Sequence, residues 1–137
     1  MFAGVNYLAV LIAAIVAWIT GVVWYMAIGK TWMAALRMTP EKMEATNSCG
    51  FYLPFILLFI ADLLIGWTLA KLLFYLGAYT MQSGFMVAAL CWLGFILTTL
   101  LVNNSFAKSD QRLIFIDGGH WLLVLLLTGT IIGAMST

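Results

Sequence analysis

Charged side chains are scarce in this chain: 8% of its 137 residues are Asp, Glu, Lys or Arg, where a soluble domain carries roughly 25%. Six basic and five acidic residues cannot give a core of this size a polar shell, so a soluble globule is excluded. A net charge of +1 excludes nucleic acid as a partner, because that binding rests on neutralising several phosphates. With Cys49 and Cys91 alone there is no disulfide framework, and both read as small apolar fillers. Lys and Arg are missing before Lys30, so the N-terminus lacks the basic start of a cleavable signal and its apolar run reads as a retained span. With one histidine, His120, there is no two-histidine zinc motif and no second evident axial ligand for haem. Phosphate-cradling loops and nucleophile elbows are also missing. No cofactor and no metal site is expected.

Hydrophobic residues, in contrast, make up 65% of the sequence. They fall into four runs, at about 4–28, 51–75, 82–104 and 112–135, and each meets the roughly 20 apolar residues that cross a bilayer core of about 30 Å. The expected fold is an all-α integral membrane protein, a four-transmembrane-helix bundle forming one domain over 1–137. Lys30, Arg37 and Lys42 fall in the first connection, and Lys108 and Arg112 in the third; only Lys71 leans to the other side. The positive-inside rule then places both termini outside the cytoplasmic (inner) membrane, with connections 29–50 and 105–112 cytoplasmic. In the first connection, KTWMAALR (30–37) has the apolar spacing of a short amphipathic helix lying among headgroups. Thr39, Pro40, Glu41 and Glu44 mark the start of another. A plain connector explains both more simply than a lid does.

A charge inside the spans costs about 2.5–3.5 kcal/mol even on lenient scales, and three residues stand out there: Asp62, Asp117 and His120. Asp62 is roughly 16 Å deep, counting from Phe51 at about 1.5 Å per residue. Lys71 cannot partner it, because nine residues along a helix is about 13 Å of rise and half a turn of azimuth. Asp62 must find a partner on another helix or stay protonated, and its own face, through Leu58, Ile65, Gly66 and Leu69, includes a glycine that permits close approach. Asp117 and His120 are three apart and share one face of span four, with Gly118 and Gly119 between them to allow tight packing or local unwinding. Thr98, Thr99, Asn103 and Asn104 reach similar depths on span three, as do Trp24 and Tyr25 on span one. The cytoplasmic halves therefore hold most of the hydrogen-bonding capacity, which points to a polar pocket opening inward. Asp117 and His120 either act as interhelical glue to span three or hold a ligand or ion there. Asn103 and Asn104 also suit the cap of span three, and the aromatic residues near both ends suit interfacial belts. Ala13, Ala17 and Gly21 form a small-residue stripe on span one, and Gly129 and Gly133 form a second on span four. A bundle this thin is expected to form a homo-oligomer.

The stretches NYLAVLIAAIVAWITGVVWY, GKTWMAAL and MTPEKM, with WLGFILTTLLVNNSF and LIFIDGGHWLLVLLLTGTIIG later on, resemble small bacterial membrane proteins of the domain of unknown function 1761 family. The resemblance covers nearly the whole chain. It implies a four-helix membrane fold and recurrent positions at Trp24, Tyr25, Thr99, Asn103, Asp117 and His120, with no counterpart for Asp62. It implies no activity.

Three functions fit. The first is a transport-like or ligand- and ion-binding protein, with Asp117 and His120 taking a cation, proton or small polar ligand from the cytoplasm and Asp62 further along the route. The second is an accessory or assembly subunit that binds another membrane protein through the Ala and Gly stripes. The third is an enzyme acting on a lipid or quinone, with His120 as base oriented by Asp117; it requires substrate access to His120.

Overall fold

The computed structural model describes residues 4–36 and 48–136, with side chains from 52 onward in the second helix. The helix start expected at Thr39, Pro40, Glu41 and Glu44 lies outside the described residues, as does the Cys49 side chain. The elements are α1 (Tyr7–Ala35), α2 (Ser48–Leu76), α3 (Met81–Cys91), a π-helical stretch (Trp92–Leu97), α4 (Thr98–Ala107) and α5 (Arg112–Met135). The third to fifth run on as one rod, so four helices are long and apolar enough to cross a membrane: Tyr7–Ala35, Tyr52–Leu76, Met81–Ala107 and Arg112–Met135. The fold is all-helical among the described residues.

The first helix departs from expectation. KTWMAA is an extension of α1 and not a separate element, set off by non-helical backbone at Ile28 (φ −116°, ψ 16°). The kink falls where β-branched Ile28 meets Gly29, the weakest helix former after proline. Beyond it the Trp32 ring packs edge-on to Tyr25, with centroids 5.5 Å apart.

Polar side chains at the helix ends fix the antiparallel course. Asn6 accepts from the Ala9 N–H at the start of α1 and donates through Nδ2 to the Met135 carbonyl at the end of α5, 2.8 Å away. Thr80 and Ser83 form a reciprocal capping box that opens α3, and residue 77 supplies the positive φ (+62°) that glycine alone adopts without strain in the preceding turn.

Small residues bring the backbones together. Gly84 on α3 lies so close to Gly129 on α5 that a Cβ on Gly84 would overlap the Gly129 carbonyl. A Cβ on Gly129 would come within 2.7 Å of Ala88 Cβ. The Gly129 and Gly133 stripe thus meets a matching stripe, Gly84 and Ala88, within the same chain. Lipid tails are as apolar as leucine, so in a bilayer this close packing, and not the hydrophobic effect, holds helices together. Ala13, Ala17 and Gly21 are all buried on α1. Between Met81 and Ala107 only Gly84 and Ala88 are buried, so the third rod touches the bundle mainly through its first half.

Candidate functional site

The segment LIFIDGGHW opens α5, and its two glycines are used for packing; the helix stays regular through them. A Cβ on Gly119 would stand 3.0 Å from the Trp24 ring, and one on Gly118 would touch Leu100 and the Trp92 ring. Without those atoms, both indoles lie flush with α5 and donate to its carbonyls. Trp24 Nε1 reaches the Ile116 oxygen at 3.1 Å, and Trp92 Nε1 reaches the Gly118 oxygen at 2.9 Å.

Asp117 and His120 share this end of α5 without bonding to each other. The Tyr25 hydroxyl donates to Asp117 Oδ1 at 2.7 Å, so the carboxyl clasps span one, not span three. His120 is 1% exposed. Its ring lies against Tyr25 (centroids 5.0 Å) and Trp121 (4.7 Å). A Cβ on Gly21 would fall 2.8 Å from His120 Nε2, so Gly21 makes the space that the imidazole fills.

Between α4 and α5 lies a cleft of about 190 Å³, with Asn103, Asn104, Ser109 and Asp117 on its walls. Span three is capped by Lys108 in a left-handed turn (φ 51°), its backbone N–H donating to the Asn104 and Ser105 carbonyls, and Asn104 Nδ2 donates across that turn to the Ser109 carbonyl at 3.3 Å. Asn103 is exposed, and its side chain makes no hydrogen bond among the described residues. Thr99 turns away, its hydroxyl donating to the Phe95 carbonyl of its own helix. The structure thus gathers Trp24, Tyr25, Asp117 and His120 on one side of α5 and puts Asn103 across the cleft, while Thr99 stands apart.

Asp62 is fully buried on α2, and neither of its carboxyl oxygens has a hydrogen-bond partner among the described residues. The same holds for both nitrogens of His120 and for the hydroxyl of Thr128. Thr128 was not among the residues the sequence singled out. It lies eight positions after His120, two turns on and on the same face, and that spacing was the available signal. Lys71 stacks over the rings of Phe74 and Tyr75, 5.0 Å from each centroid, in keeping with its half-turn offset from Asp62.

The Tyr25 bond gives a direct test. Tyr25→Phe removes the donor and leaves Asp117 without that partner, so unfolding in detergent should become easier by about 1–3 kcal/mol. Wild-type stability in this variant would show that the bond holds nothing together.

Over residues 8–133 the chain matches the family model described as Protein of unknown function (DUF1761), and it belongs to that family. No curated protein matches the chain, and no solved structure does.

Proposed function

We propose that this chain is a small transport-like membrane protein whose cleft beside Asp117 admits a cation or a proton from the cytoplasm. The carrying observation is the cleft itself: Asn103, Asn104, Ser109 and the half-buried Asp117 line it beside Leu100 and Leu113, and Tyr25, which braces Asp117, also lies against the buried His120. The connection carrying Lys108 and Arg112 lies at this end, which supports a cytoplasmic mouth and outside termini under the positive-inside rule. The burial of His120 counts against a lipid or quinone enzyme, since a base needs substrate within reach.

Two measurements test the reading. In a variant without native cysteines, Asn103→Cys should react with a membrane-impermeant maleimide in inside-out vesicles only. In proteoliposomes, at least one of H⁺, ammonium, Na⁺ or K⁺ should enter faster than into empty vesicles. Asp117→Asn should slow that entry about tenfold, the effect of losing one contact to a charged group worth roughly 1.5 kcal/mol. Labelling from the outside, or no flux of any of the four, would overturn the proposal.

A second reading rests on the outer face of the third rod's later half, where Leu93, Phe95, Leu101, Val102 and Phe106 are exposed. That face suits a second copy of the chain or another membrane protein, and cross-linking from Phe95→Cys in native membranes would separate the two.

A further inference from the structure

Two close approaches set the register of α1, α2 and α5. A Cβ on Gly21 would lie 2.8 Å from His120 Nε2 and 3.0 Å from Leu58 Cδ2, which puts Gly21, Leu58 and His120 at one level. A Cβ on Gly66 would lie 3.3 Å from Val10 Cγ1 and 3.7 Å from Thr128 Cγ2, which sets a second level. From Leu58 to Gly66 is eight residues, and from His120 to Thr128 is also eight, so α2 and α5 run the same way in register. Asp62 is midway on α2, level with the buried Val124 on α5. Four residues rise about 6 Å and turn about 400°, so each helix presents these positions on one stripe. The three-helix junction therefore holds His120, Asp62 and Thr128 at successive levels about 6 Å apart along the axis. All three are at most 1% exposed, and none has a hydrogen-bond partner among the described residues.

This is a costly arrangement. A buried polar group left unsatisfied costs about 1–3 kcal/mol, and side chains used as glue avoid that cost by pairing. Thr20, Thr68 and Thr130 each bond a carbonyl one turn back on their own helix, whereas Thr128 does not. On the α1 side the junction presents Ala13, Ala17 and Gly21, which offer no side-chain donor or acceptor. The row therefore has no structural use for its polarity among the described residues.

The geometry also selects what can move along it. A calcium ion takes six to eight oxygen ligands and a structural zinc takes four donors, all at bonding distance. Here one imidazole, one carboxyl and one hydroxyl are spaced a turn apart, and no group of three His, Cys, Asp or Glu side chains gathers among the described residues. A proton needs no coordination shell. Imidazole takes a proton at one nitrogen and releases one from the other. A carboxyl does the same with its two oxygens, and a hydroxyl accepts while it donates. At the mouth, the Tyr25 ring lies between His120 and its hydroxyl's bond to Asp117 on the cleft wall.

We infer that the proton is the cargo, passed between the cleft and the far half of the bundle through His120, Asp62 and Thr128. Gly21 acts as a positioning residue that keeps the imidazole in line. The inference rests on the transport reading above. Levels about 6 Å apart are beyond direct hydrogen-bond reach, so each hand-over runs through a water molecule bridging successive groups; one proton enters from the cleft side for each one that leaves beyond Thr128, and no oxidation state changes.

The test uses the full chain in vesicles containing a pH-sensitive dye, with protons driven by a potassium diffusion potential set by valinomycin. Wild type should carry protons well above empty vesicles. Asp62→Asn, which keeps size and shape, should fall to the empty-vesicle rate. Thr128→Val should fall about tenfold, equal to roughly 1.4 kcal/mol on the barrier. Gly21→Ala, which displaces the imidazole but leaves it present, should also slow the flux. Thr130→Val, the same change two residues away, should leave it unaltered. Flux of potassium or sodium without protons would overturn the inference and leave the transport reading standing, whereas no flux of any ion would remove both. Proton flux that survives in folded Asp62→Asn would show that the row is not the path.

Discussion

Replacing Gly84 by alanine is expected to lower the unfolding free energy by about 3 kcal/mol, the upper end for an added methyl group in a packed core. The reason is what the methyl would meet. On most helix faces a new Cβ touches the tip of a neighbouring side chain, which can rotate away. On Gly84 it would overlap the backbone carbonyl of Gly129, with the Gly133 Cα 3.3 Å off. A backbone cannot change rotamer, so α3 and α5 must separate along their shared stripe. In a membrane that separation is especially damaging, because close packing is what drives helix association there. Gly94→Ala is the control. Nothing lies within 4 Å of a Cβ there, so its effect should stay within about 1 kcal/mol, the size of a propensity change. Unfolding in mixed micelles, followed by helical circular dichroism, measures both. Equal stability of the two variants would mean that α3 and α5 are not held by this contact.

That contact also shows where the sequence was legible. Three of the four apolar runs mark their helices to within a few residues, because length and hydropathy are local properties that a bilayer constrains directly, whereas the first helix continues past its expected end at 28 to Ala35. The stripes at Ala13, Ala17 and Gly21 and at Gly129 and Gly133 were visible for the same reason, since four-residue spacing is a one-helix property. What each stripe packs against was not visible. Gly84 and Ala88 carry the same spacing, yet nothing in the order of residues says that span three meets span four there. The polar residues followed the same rule. Tyr25 and Asp117 were both singled out, but their bond depends on the relative rotation of two helices, and that is fixed only by the assembled bundle. The extension of α1 past Ile28 is hidden in the sequence because Lys30 looks like the edge of a span, although a helix can continue beyond the hydrocarbon. Thr128 was overlooked because a threonine in a helix usually bonds its own backbone, and sequence does not reveal the exception.

The second large effect has the opposite sign. Asp62→Leu should make the protein more stable by about 1–3 kcal/mol, the cost of leaving a buried polar group unsatisfied. Leucine keeps the number and branching of the side-chain atoms, and in the unfolded chain the Asp62 carboxyl is free to meet water or detergent headgroups. Folding removes that solvation and, among the described residues, returns no hydrogen bond. An apolar group of the same shape has nothing to lose there. Asp62→Val, one atom smaller, guards against crowding by the larger methyl groups, and it should gain stability even if the bulk of a leucine side chain does not fit. Accounts based on glue and on transport divide at this point. If Asp62 fastened α2 to its neighbours, either change would loosen the bundle. If it is retained for proton transfer, both variants should unfold later than wild type and carry no protons. A gain in stability joined to a loss of flux is the signature of a residue kept for its chemistry against the interest of the fold.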